Sequence, residues 1–312
     1  KMASTISGAA MASGASHAST LGSVAGSQSG PSVVIAKTDN AHSVVNILTA
    51  IHLKKDIEAY CVVDKNGFRF TVQKSNCLQA NVYLKKDLFT RFECEGHHQF
   101  GLNLTLFLEC LNMLGSSSGN QIALSISYAG EGHPILLQMV DGDVYSSGGI
   151  HPLEKEEPAD FCWEDCKAIN RVIIRSVPIK DALQELDWWG QKLQLRMVPG
   201  RPRGHQVLKM NTKGMHGACE VEFPSTCDAI SEFDCSQETM QEYRFSLLQP
   251  LIKALSLADK VCIRSGQGGM LQAQLMIKDE SRITTFVEFL ICADAMVEEE
   301  DTQFGASAMQ DD

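Results

Sequence analysis

Positive charge is what this 312-residue sequence has least of: 27 lysines and arginines stand against 38 aspartates and glutamates, a formal net charge of −11. Such a deficit argues against a chain that coats nucleic acid on its own, because that binding rests on neutralising phosphates. Six of the acids (Glu298, Glu299, Glu300, Asp301, Asp311, Asp312) lie in the last fifteen residues, which leaves 32 acids against 27 bases over residues 1–297 and room for a local basic surface. Long apolar runs are also missing. None approaches the roughly 20 residues that span a bilayer, so no membrane role is expected. No secretory h-region precedes the folded part.

Motifs for metal and phosphate are equally scarce. The eleven cysteines, an odd number at irregular spacing, include no C-x-x-C pair. Several sit among apolar residues, the pattern of buried, reduced thiols in the cytosol or nucleus. Cys162 and Cys166 with Asp160 and Asp165 have no second half-site to complete a zinc site. His97 and His98 are adjacent, so in a strand they point to opposite faces and cannot share a metal. Gly266-Gln-Gly-Gly269 lacks the Lys-Ser/Thr ending of a phosphate loop and reads as a turn. No cofactor or metal is expected.

What is present is a soluble-protein balance, 44% hydrophobic with 21% charged. Residues 1–32, almost all Ala, Ser, Gly and Thr, read as a flexible tail. They contain no arginine, which disfavours a transit peptide. From Val33 a strand leads into a helix over about Ala41 to Leu53, with Val44, Ile47, Leu48 and Ile51 on one face. Ala59–Val63 and Phe68–Val72 flank Asp64-Lys-Asn-Gly67 as a hairpin. Strands at Leu78–Leu84 and Phe89–Glu95, a helix at Leu104–Leu114, and strands near Ile122–Tyr128 and Ile135–Val140 complete a first unit, 33–140. Residues 141–168, rich in Gly, Pro and Glu, read as a connector. A second unit, 169–297, repeats the pattern: strand Arg171–Arg175, a short helix Ile179–Leu186 behind Pro178, strands Lys192–Val198 and Val207–Asn211, and a helix Phe245–Leu255 that echoes Asn103–Leu114. Residues 298–312 read as an acidic, solvated end. The economical reading is α+β, two similar tandem domains.

Ile47-Leu-Thr-Ala-Ile-His52, Lys65-Asn-Gly67, Cys77-Leu-Gln-Ala-Asn81, Asn103-Leu-Thr105, Asp160-Phe-Cys162, Ser246-Leu-Leu248, Lys253-Ala-Leu255 and Phe286-Val-Glu288 resemble, in collinear order over about residues 33–297, the DNA sliding clamps, and within them the Rad-one subunits of the nine-one-one checkpoint clamp. The resemblance implies two clamp domains, each β-α-β-β-β-α-β-β-β, with helices inside and sheets outside a ring. It further implies a nuclear, non-catalytic heterotrimer subunit that encircles double-stranded DNA. Two other clamp subunits, a clamp loader, and repair and checkpoint proteins are its implied partners. The strands near Ile135–Val140 and Ala218–Phe223 would be the joining edges.

Phosphate contacts would then come from Lys54, Lys55, Lys180 and Lys253. Glu109, Asn112, Asp181 and Gln184 replace the cations expected on the second and third helices, which implies weak DNA affinity for this subunit alone. A client pocket would be lined by Cys77, Leu78, Leu290 and Ile291, with Phe161 and Trp163 of the connector covering it or touching a client. Trp188-Trp189 reads as packing at the end of the third helix. The alternatives are a 3′–5′ exonuclease, for which Asp39, Asp56, Asp64 and Asp87 are too scattered to hold two metals, a subunit of a homotrimeric replicative clamp, and a scaffold that never encircles DNA.

Overall fold

The computed structural model describes residues 32–114, 122–154, 156–159, 161, 168–200, 204–278 and 283–294. The two expected tails, apart from Ser32, and Asp160, Cys162, Trp163, Asp165 and Cys166 lie outside the described residues. The first half runs β1 (Val34–Thr38), α1 (Ala41–Thr49), β2 (Glu58–Asp64), β3 (Gly67–Lys74), β4 (Leu78–Lys85), β5 (Arg91–Cys94), β6 (His98–Asn103), α2 (Leu104–Leu111), β7 (Ala123–Tyr128), β8 (Ile135–Asp141) and β9 (Val144–Ile150). The second repeats that order: β10 (Ala168–Arg175), α3 (Ser176–Trp189), β11 (Lys192–Val198), β12 (Val207–Gly214), β13 (Gly217–Pro224), β14 (Ile230–Cys235), β15 (Thr239–Arg244), α4 (Phe245–Ala254), β16 (Lys260–Gly266), β17 (Leu271–Lys278) and β18 (Thr284–Ile291). The clamp fold implied by the resemblance is the fold found, but five strands, not three, separate the two helices of each half. The extra pair is required because each half contributes to two sheets: β5 and β14 extend β1 and β10, while β6 and β15 extend β2 and β11.

Three sheets result, ordered β5-β1-β7-β8-β9, β14-β10-β16-β17-β18-β4-β3-β2-β6, and β13-β12-β11-β15. The long central sheet joins the halves where β18 pairs antiparallel with β4, Val287 opposite Val82 and Ile291 opposite Leu78. α1 packs on α2 and α3 on α4, each also touching strands of its own half. Val44, Ile47, Leu48 and Ile51 are all buried, and each such side chain contributes roughly 1.5–3 kcal/mol by leaving water. Phe68 gathers Phe70, Phe89 and Phe92 within ring-centroid distances of 6.1, 5.7 and 5.6 Å.

Both helices of the first half start on an asparagine cap. Asn40 Oδ1 accepts from the Ser43 amide at 3.2 Å, and Asn103 Oδ1 from the Leu106 amide at 2.9 Å. Both end earlier than the periodicity predicts because the last turn tightens: the amides of Ala50, Ile51 and His52 reach back only three residues, to Ile47, Leu48 and Thr49. α4 tolerates Pro250 in its middle. The proline has no N–H for the Ser246 carbonyl, and that carbonyl instead accepts Lys74 Nζ at 3.3 Å from the end of β3, across the two halves.

The stretch read as a connector begins with a strand. β9 pairs with β8 through the two-residue turn Gly142-Asp143, where Gly142 takes φ 58°. As an edge strand it has one partner and no fully buried face, and Ser146, Ser147, Gly148 and Gly149 hide any apolar alternation. Beyond it, Leu153 exchanges two 2.8 Å backbone bonds with Gly101 of β6. Gln73 Nε2 donates to the Ala159 carbonyl at 2.8 Å, and Glu157 lies 3.8 Å from Arg69. Glu157 and Ala159 thus lie over the face of the central sheet opposite the buried Phe68, Phe70 and Val72.

Candidate assembly and nucleic-acid interface

Matching elements of the two halves exposes a repeated seam. β9 corresponds to β18 and β13 to β4, because each pair holds the same place in chain order and in its sheet. Inside the chain β18 and β4 are bonded to each other; β9 and β13 each end a sheet with one side open. Ala218–Phe223 therefore does lie on an open edge, as a joining strand must, whereas Ile135–Val140 is not an edge: β8 lies between β7 and β9. The sequence reading placed the edge one strand too early because β9 looked like linker.

Of the six described strands that end a sheet, these two have exposed apolar side chains gathered beside them. Beside β13 stand Trp188 (89% exposed), Trp189 (44%) and Met215 (97%); Val144 (57%) and Tyr145 (67%) lie on β9, with Met113 of the turn after α2 beside it. Met113 Sδ, in the turn after α2, receives Ser146 Oγ at 3.7 Å, and Cys110 Sγ stands 3.8 Å from where a Gly148 Cβ would lie, so the end of α2 backs β9. Trp188-Trp189 is thus not simply internal packing: Trp188 projects into solvent at the end of an α3 that is longer than its apolar periodicity predicts, since an exposed tryptophan breaks that pattern.

The internal seam is held by polar groups. Thr71 Oγ1 donates to Asn81 Oδ1 at 2.9 Å, Asn81 Nδ2 to Glu288 Oε2 at 3.1 Å, Gln272 Nε2 to Glu288 Oε1 at 2.5 Å and Arg264 Nη1 to Gln272 Oε1 at 2.7 Å. Gln79 bridges Gln73 and Asn81. This chain crosses β3, β4, β18, β17 and β16, and Thr71, Gln79, Asn81 and Gln272 are buried within it. Sequence reasoning missed it, although polar residues at every second position of otherwise apolar strands were its signal. Asp294, just past β18, is buried between Lys192 and Arg244. Burial pushes its carboxyl pKa up, but hydrogen bonds from both cations outweigh that and leave it below the ordinary aspartate range.

Of the pocket residues, Cys77, Leu78, Leu290 and Ile291 do come together at this seam. The Cys292 amide donates to the Cys77 carbonyl at 2.9 Å, and Leu290 sits opposite Gln79. All four are buried, as is Phe161, and all five belong to the hydrophobic core. The lysines do not form one cluster in sequence or structure. Lys54 and Lys55 are exposed in the turn after α1, Lys253 is exposed near the end of α4, and Lys180 is half-buried 3.8 Å from Asp181. The same four helices expose Glu109, Asp181 and Glu185.

Among the described residues no group of three His, Cys, Asp or Glu is placed to hold a metal. Asp39, Asp56, Asp64 and Asp87 lie after β1, after α1, at the end of β2 and in the short helical turn after β4. His98 Nε2 instead donates to the Glu95 carbonyl, 2.7 Å away, and its ring meets Tyr128 edge-on. Burial raises the thiol pKa of Cys61 and pushes that of Cys235 up to about 11, away from nucleophilic thiolate. No helix of the described residues is long and apolar enough to cross a membrane.

The family described as Repair protein Rad1/Rec1/Rad17 matches residues 33–277. The chain is 35% identical over 272 residues to the cell cycle checkpoint protein RAD1 of Homo sapiens, covering 86% of this chain and 94% of that one. It is 26% identical over 235 residues to the DNA repair protein Rad1 of Drosophila melanogaster, covering 73% and 83%. The crystal structure of PCNA from Thermococcus kodakaraensis superposes with a TM-score of 0.66 at 16% identity, covering 83% of this chain and 99% of that chain, a likeness of fold.

Proposed function

We infer that this chain, which belongs to the Rad1/Rec1/Rad17 repair-protein family, is one non-catalytic subunit of a ring-shaped DNA clamp that serves checkpoint signalling and repair. The observation that carries the reading is the unfinished seam. An exposed edge is a template for pairing, and a head-to-tail ring gives each β9 a β13 counterpart, repeating between subunits the β18–β4 pairing already made within one. Trp188, Trp189 and Met215 at one of these edges, and Val144, Tyr145 and Met113 at the other, are exposed apolar side chains that such pairing would help to cover.

In the finer form of this reading the ring is a heterotrimer with two other clamp subunits, opened and closed around double-stranded DNA by a clamp loader in the nucleus. Lys54, Lys55, Lys180 and Lys253 supply phosphate contacts without base reading. With Glu109 exposed on α2 and Asp181 and Glu185 on α3, most of the electrostatic hold comes from the other subunits. Repair and checkpoint clients dock at the seam of Cys77, Leu78, Leu290 and Ile291, where Phe161 and Trp163 of the connector are displaced or contacted. An exonuclease is not favoured, because the candidate carboxylates are dispersed over one half of the chain.

Size-exclusion chromatography with light scattering tests this, on the chain alone and mixed with the two partner subunits. A lone monomer and a 1:1:1 ring in the mixture are expected. A self-trimer would redirect the reading to a homotrimeric clamp, and no association would overturn the ring.

A further inference from the structure

We propose that Trp188, Trp189 and Met215 form the anchor by which this subunit grips one particular neighbour, and that the occupant is the neighbour's helix lying beside its own joining strand, the counterpart of α2 here. The proposal rests on the ring reading and names what the β13 side of the chain holds.

The anchor is built rigidly. A Cβ on Gly190, directly after the tryptophans, would collide with Thr212 Oγ1 and come within 2.7 Å of the Lys213 carbonyl, and a Cβ on Gly214 would collide with the Trp189 carbonyl. The end of α3 is therefore pressed onto the end of β12 at a distance only glycine permits. Trp189 lies over the start of β13, its Cζ3 3.6 Å from where a Gly217 Cβ would stand. Trp188 and Met215 project from this fixed base at 89% and 97% exposure, and with Trp189 they border a cavity of about 890 Å³. A tryptophan has only two side-chain torsions to fix, so one exposed on a fixed backbone gives up little conformational freedom on binding and is a favoured binding hot spot.

The occupant follows from the seam already closed inside the chain. There the β3–β4 turn meets a helix of the other half: Lys74 Nζ reaches the Ser246 carbonyl of α4, and Cys292 Sγ lies 3.8 Å from the Asn76 carbonyl. At the open edge the β12–β13 turn, carrying Met215, holds the place of the β3–β4 turn, and the end of α3 holds the place of the end of α1. The element that meets it is the neighbour's counterpart of α4 or α2, belonging to the half that ends in an open strand. This chain shows how such an end looks, since the turn that closes its own α2 exposes Met113 against Ser146 of β9, with Cys110 of the helix facing Gly148. Apolar helix end against tryptophan pair is the complementary match. Asp187, Lys192, Lys213 and Glu242 around the cavity give it a mixed polar rim.

Binding of the full chain to each partner subunit separately, immobilised and read as a dissociation constant, tests this. Trp188→Ala is expected to weaken binding to one partner by roughly tenfold or more, and Trp188→Ala combined with Met215→Ser further, with the other partner's affinity unchanged. Tyr145→Ala, on the opposite edge, is expected to do the converse. Because Trp188 and Met215 are exposed, both variants should melt with the parent, and circular dichroism checks that. Unchanged affinity for both partners, or equal loss toward both, overturns the proposal. So does loss confined to a fluorescent single-stranded oligonucleotide, which would make the pair a base-stacking platform. A parent chain that binds neither partner would overturn the ring reading itself, a result distinct from a failed anchor.

Discussion

Asp294 is the last residue of the described fold and one of its most constrained. Its carboxylate sits between Lys192 of β11 and Arg244 of β15, tying the chain beyond β18 to the smaller second-half sheet. Because its pKa is lower folded than unfolded, the unfolded chain takes up the proton first. The stabilisation is therefore complete above the ordinary value of 3.8 and is lost as pH falls through the lower folded value. Both cations are partly solvated, which moderates its size; Asp294→Asn should cost about 1–2 kcal/mol at neutral pH, read by urea denaturation, and the difference from the parent should shrink below pH 4. Asn81 makes a comparable case at the seam. Its amide links Thr71 and Gln79 to Glu288, all through one side chain, so Asn81→Leu leaves a carboxylate short of a donor. A loss of about 1–3 kcal/mol is expected, with no change in the denaturant slope.

At the scale of elements, the open edges can be blocked without unfolding the sheets behind them. In the β8–β9 hairpin, closed by Asp141 and Val144 around a two-residue turn, Ser147 falls opposite Gln138 in a pair that is not hydrogen-bonded, so its N–H points to the open side. Ser147→Pro should leave the melting temperature close to the parent's while lowering affinity for the neighbour at that edge on the order of tenfold. Surface binding and thermal melting together check it. These elements differ in how plainly their residues announce them. α1 shows itself through Val44, Ile47, Leu48 and Ile51, and the β2–β3 hairpin through Asn66-Gly67, because both signals are local. β9 does not, since an edge strand needs no apolar face and its serines and glycines read as linker. α3 was read short because Trp188 lies on the solvent side, where an apolar residue contradicts the pattern that ends a helix. The seam residues Cys77, Leu78, Leu290 and Ile291 could be brought together only by the family resemblance, for their pairing spans more than 200 positions in sequence and leaves no local trace.

For the whole molecule, the repeated half explains both what is complete and what is unfinished. One seam is closed within the chain, and its two open counterparts predict a polymer that stops growing only when it meets itself, as a ring does. Charge fits the same picture. A chain of −11 whose helices expose Glu109, Asp181 and Glu185 beside Lys253 has little to hold duplex DNA with, so the isolated subunit should bind it more weakly than about micromolar at physiological salt, measurable by fluorescence anisotropy. An assembled ring needs no tight contact, because topology retains it. The most direct test is therefore retention of the assembled, loader-treated complex on circular plasmid after a high-salt wash, followed by linearisation with a restriction enzyme. The complex is expected to stay on the circle in high salt and to be released when the DNA is cut; release by salt alone, or retention indifferent to cutting, would rule out a ring closed around DNA.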